Sequence, residues 1–65
     1  MGQDLARQHR AAAFDHQRVA DRHAEAALLF RTGGAIRKAE LAERQAQLER
    51  EAAERELEWA NRESI

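Results

Sequence analysis

The sequence predicts an all-α protein folded as an antiparallel two-helix hairpin, and three observations carry that expectation. Glycine occurs only at Gly2, Gly33 and Gly34, proline is absent, and Thr32-Gly33-Gly34 lies at the midpoint of the 65 residues. Alanines stand at equal distances on either side of Gly33: Ala27 with Ala39, Ala24 with Ala42, Ala20 with Ala46, Ala13 with Ala53 and Ala6 with Ala60. The apolar residues recur every three, four or seven positions, as on one face of a helix, and do not alternate as in a strand.

The first helix is expected over 3–31. Gln3 or Asp4 opens it, Asp4 suits the positive N-terminal end of the helix dipole, and Arg31 suits the other end. One seam consists of Ala6, Ala13, Ala20 and Ala27, with Arg10, Gln17, Ala24 and Arg31 interleaved. Beside it runs a second heptad seam of Leu5, Ala12, Val19 and Ala26, interleaved with His9, His16, His23 and Phe30. The turn is placed at 32–34, where Gly33 is expected to take the left-handed conformation that ends many helices, leaving Gly34 to reverse the chain. Helices joined by so short a connection lie antiparallel as neighbours.

The second helix is expected over 35–61. Its alanine seam is Ala35, Ala39, Ala42, Ala46, Ala53 and Ala60 with Glu49 and Glu56 interposed, and its bulky seam is Leu41, Gln45, Leu48, Ala52, Arg55 and Trp59. Glu40 and Arg44, Glu51 and Arg55, and Glu58 and Arg62 are spaced for i,i+4 ion pairs. Residues 62–65 are expected to fray, because Glu58 and Glu63 lie at the negative end of the dipole. Folding about Gly33 sets the alanine seams together and places Arg10 opposite Glu56 and Gln17 opposite Glu49. The chain is thus one hairpin over 1–65, an alanine-rich coiled coil.

Both bulky seams rotate to the same side of the hairpin. The resulting face comprises Leu5, His9, Ala12, His16, Val19, His23, Ala26, Phe30, Leu41, Leu48, Ala52 and Trp59. A face of that breadth normally meets a partner, and two copies of it would form a four-helix bundle. A homodimer is therefore expected, with another helical protein as the alternative partner. Composition supports this: of the 43 % hydrophobic residues many are alanine, there is no cysteine to staple the chain, and the large apolar side chains are few.

Three histidines seven residues apart are separated by about 10.5 Å along a helix, so His9, His16 and His23 cannot share an ion within one chain. In a dimer His16 could meet its symmetry mate, but four ligands are needed and the seam offers few, so no metal is expected and these three histidines are the candidates should one bind. Buried at the centre of an apolar face, they predict an assembly that weakens on acidification. A formal net charge of −1 argues against a globally basic nucleic-acid binder. Locally, however, Phe14 is flanked by Arg7, Arg10, Gln17 and Arg18, residue types that can stack on bases and hold phosphates. This layout resembles the plasmid-encoded RNA-binding Rop proteins, hairpins that dimerise into four-helix bundles and use an aromatic-bearing helical face on RNA. The resemblance is architectural, and it implies RNA or DNA binding through Arg7, Arg10, Phe14 and Arg18. The competing role for Phe14 is to cover Leu57.

The only hydroxyl side chains are Thr32 and Ser64, tyrosine and cysteine are absent, and Lys38 lies in an open first turn. No nucleophile–base arrangement and no cofactor site follow from such an inventory, so a non-enzymatic module is expected. No stretch has the length or hydropathy of a membrane span or signal peptide, which makes the cytoplasm the expected location. The preference for arginine over the single Lys38, with abundant Ala and Glu, points to a GC-rich bacterial or phage genome. The functional expectation is a small interaction or regulatory module acting as a homodimeric bundle, with nucleic-acid binding as the second reading.

Overall fold

The computed structural model describes residues 2–63 and consists of two helices, α1 (Gly2–Thr32) and α2 (Ile36–Glu63), packed side by side along their whole length. The Cα trace measures 50 × 12 × 9 Å. Helix α1 extends one residue beyond the expected limits at each end. Helix α2 continues through Arg62 and Glu63, which the dipole argument assigns to a frayed tail; Ser64 and Ile65 lie outside the described residues.

The connection reverses the chain through a Schellman motif. The Ala35 amide donates to the Phe30 carbonyl at 2.8 Å and the Gly34 amide to the Arg31 carbonyl at 3.1 Å, which together cap the C-terminus of α1. Gly34 takes the left-handed conformation, with φ of 83°. That role falls one residue later than expected, because Gly33 still follows the helix, its amide donating to the Leu29 carbonyl at 3.0 Å. Ala35 then opens α2, its carbonyl accepting from the Ala39 amide at 3.0 Å.

Among the described residues the buried core is made of alanine alone: Ala6, Ala13, Ala20 and Ala27 on α1 against Ala39, Ala42, Ala46, Ala53 and Ala60 on α2. Small side chains let helix backbones approach closely. At the open end the approach is tight enough that a Cβ on Gly2 would strike the Glu63 carbonyl.

Between the alanine layers the polar pairing differs from the one expected. His9 Nδ1 lies 2.5 Å from Glu56 Oε2, and His16 Nδ1 lies 2.5 Å from Glu49 Oε2. These histidines replace Arg10 and Gln17 as partners of the two glutamates. The reason is azimuthal. Glu56 and Glu49 each follow a seam alanine by three residues, and so do His9 and His16; in antiparallel helices those positions lie on the same flank of the seam. Arg10 and Gln17 follow by four and point to the other flank. There, Arg31 and Glu43, each four residues after a seam alanine, form an ion pair at 2.5 Å. The rings of His9 and His16 therefore flank the hairpin's own seam, each bonded to a carboxylate of α2.

The three i,i+4 ion pairs expected along α2 are not formed among the described residues. Instead, the Arg62 guanidinium lies 5.4 Å from the centre of the Trp59 ring.

Candidate interaction surfaces

Each flank of the alanine seam forms a surface. On the flank of the His–Glu pairs, Ala12, Val19, Ala26 and Ala52 are half-buried and form the floor. Rising from it are Leu5, Leu41, Leu48 and Trp59, which remain 44 %, 60 %, 50 % and 49 % exposed. These are the residues expected to form a dimer face, and the fold brings them to one side. Phe30 at the turn end is half-buried, and the Lys38 ammonium stands 5.9 Å from its ring centre.

His9 and His16 belong to this side as well, because their position after the seam alanines turns them toward it. The His9 ring stacks on Trp59, with centroids 5.9 Å apart and planes inclined by 22°. By the same register His23 stands at the level of Ala42, so it has no carboxylate facing it across the seam. The polar pairs form a central line on the apolar face, with side chains 28 % and 28 % exposed at His9 and Glu56 and 36 % and 27 % at His16 and Glu49. Sequence reasoning found the histidines but missed their partners. The signal was present in the matching three-residue offsets from alanine on both helices.

The other flank carries the expected nucleic-acid residues. Arg7, Arg10, Phe14 and Arg18 are all exposed on α1, and Arg7 is 3.5 Å from Asp4. Phe14 is 61 % exposed and Leu57 39 %, so Phe14 stands open on the surface. Further along this flank, Ala24, Leu28, Arg31, Glu43 and Arg50 line a shallow groove.

Among the described residues, no three His, Asp or Glu side chains of one chain converge on a point where an ion could sit. No helix among them is long and apolar enough to cross a membrane. No protein-family model, no curated protein and no solved structure matches the chain.

Proposed function

We propose that this chain is a small, non-enzymatic interaction module whose hairpins pair through the Leu5, Val19, Leu41, Leu48 and Trp59 side to form a homodimeric four-helix bundle. The observation that supports it is the division between core and surface. Among the described residues no side chain larger than alanine is buried, while the large apolar side chains of this face are exposed. Burying a methyl group contributes about 0.8 kcal/mol, against about 1.5–3 kcal/mol for a leucine or phenylalanine. The hairpin alone thus leaves its strongest apolar side chains unused. A second copy covers them, and it does so with a self-complementary surface, as a two-fold interface requires. The central line offers an imidazole and a carboxylate from each chain, so polar groups meet polar groups when the faces close. A module of this kind acts by presenting the outer surfaces of the bundle to other molecules.

Sedimentation equilibrium at micromolar concentration tests the reading. It expects twice the chain mass with high helicity; a fully helical monomer would overturn it.

One observation favours a second reading, in which the bundle binds RNA or DNA. Phe14 is open to solvent among Arg7, Arg10 and Arg18 on the flank turned away from the dimer face. Binding of this kind depends steeply on salt.

A further inference from the structure

We infer that two hairpins together form a zinc site from His16 and Glu49 of each chain, on the two-fold axis of the dimer. The inference rests on the dimer proposed above and adds a ligand to it.

One chain supplies half of the site. His16 Nδ1 and Glu49 Oε2 face each other in a direct contact of 2.5 Å, with side chains 36 % and 27 % exposed, so two donor atoms stand side by side. Both turn toward the apolar face, since each follows a seam alanine, Ala13 or Ala46, by three residues. Within one hairpin no third ligand joins them among the described residues.

Symmetry supplies the other half. His16 lies fourteen residues after Gly2 and sixteen before Thr32, and Glu49 thirteen after Ile36 and fourteen before Glu63, so this layer is the middle of the hairpin. Any two-fold that overlays the full length of two such faces places the middle layer against its own copy, whether the turns lie at the same end or at opposite ends. The His9–Glu56 layer is near one end and meets its copy in only one of those arrangements. The layer of His23 and Ala42 lacks the carboxylate. The central layer is therefore the one that brings two imidazoles and two carboxylates together in either packing.

Such a cluster asks for a cation. Two carboxylates closed inside an apolar bundle carry a heavy desolvation cost unless neutralised. Two nitrogen and two oxygen donors form a tetrahedral set suited to zinc, with bonds of about 2.0–2.2 Å. At the tetrahedral angle those bonds place the two donor atoms about 3.3 Å apart, which the present pair reaches by a small side-chain rotation. The ion then takes the place of the hydrogen bond between ring and carboxylate, with Nδ1 as the ligand and the neutral ring's one proton on Nε2.

The test uses the full chain. Sedimentation is first run in the presence of a chelator, then with zinc, and zinc binding is titrated by calorimetry and by competition with a chromophoric chelator. One tightly held zinc per two chains is expected if the turns lie at opposite ends, and a second, at the His9–Glu56 layer, if they lie at the same end, with thermal stabilisation that grows with zinc concentration. Cobalt(II) should give the intense visible absorption of a tetrahedral ion. Both His16→Ala and the milder Glu49→Gln should lower affinity by more than the 10–100-fold that loss of a supporting contact costs, whereas His9→Ala should leave the central site in place. Helicity of each variant is measured alongside, and Glu49→Gln retains a group that can hydrogen-bond His16 if His16→Ala unfolds. A dimer that takes up no zinc, or one whose zinc stoichiometry survives both central substitutions, overturns the site and leaves the dimer standing. A monomer with and without zinc overturns the dimer itself, and a dimer that forms only with zinc supports both.

Discussion

The His9 ring stacks on Trp59 with centroids 5.9 Å apart, and the same ring's Nδ1 meets Glu56 at 2.5 Å. A contact from the polar central line to the exposed apolar rim thus runs through one imidazole. Trp59 is the only tryptophan in the chain, and it is 49 % exposed. Its fluorescence should therefore report closure of the proposed dimer face. On dilution through the dissociation range the emission should shift to longer wavelength as the indole meets water. Emission that stays constant while sedimentation shows dissociation would place Trp59 outside the contact.

Leu48 is 50 % exposed at the middle of the same face. In a bundle, Leu48→Glu would put a carboxylate into a closed apolar layer, at a cost of several kcal/mol. The expected outcome is a monomer with greatly reduced helicity by circular dichroism. If the variant instead keeps the wild-type mass and melting curve, Leu48 faces solvent and the face has been misassigned.

The His–Glu layers add pairing across the seam, whereas register is held by the turn, whose Ala35–Phe30 and Gly34–Arg31 bonds fix how the helices meet. A slip by one heptad would still set alanine against alanine and would bring Glu56 to His16 and Glu49 to His23. A double-mutant cycle with His16→Ala and Glu49→Ala, read from denaturant melts without added metal, should give a coupling of about 0.5–1.5 kcal/mol. Additive effects of the two substitutions would mean that the layer contributes no specific pairing.

Much of this architecture is legible in the chain because alanine at seven-residue spacing is both conspicuous and structurally decisive: only small side chains permit the approach seen at Ala13 and Ala53. Axial level is equally legible, since the distance of a residue from the turn fixes which residue it can stand beside. Angle is harder to read. Arg10 and His9 differ by one residue in level but lie on opposite flanks of the seam, and a charge-matching argument prefers the arginine for Glu56. The same one-residue ambiguity assigns the left-handed turn conformation to Gly33 when Gly34 adopts it. The half-site at His16 and Glu49 is hidden for a further reason: it becomes visible only when the pairing across the hairpin and the side of the hairpin are both known.

The turn separates its two glycines. Gly34 has φ of 83° and open space within 4 Å of the position a Cβ would take, whereas a Cβ at Gly33 would meet carbonyl oxygens at 3.6 and 3.8 Å, an ordinary contact. Gly34→Ala should therefore destabilise by about 1–2 kcal/mol, the cost of the left-handed conformation for an L-residue. Gly33→Ala should be neutral or stabilising by about 0.4–1 kcal/mol, since it restricts the unfolded chain. Thermal melts at one fixed protein concentration check both. Equal losses at the two positions would contradict the Schellman geometry.

Phe14 decides between the two functional readings. It is 61 % exposed, so its removal takes away little buried area. Phe14→Ala should leave the melting temperature of the dimer close to that of the parent chain. If the outer surface of α1 is a nucleic-acid site, the same substitution should remove base stacking worth about 1–3 kcal/mol, a loss of roughly tenfold or more in affinity. Arg10→Ala should weaken binding and flatten its salt dependence. Mobility shifts with single-stranded and hairpin RNA and with duplex DNA at low salt measure this directly. Binding by the parent chain that Phe14→Ala abolishes would establish the second reading, and the dimer would then serve to present two such surfaces. No binding at low salt by the parent chain would discard it, leaving protein–protein association as the role of the bundle.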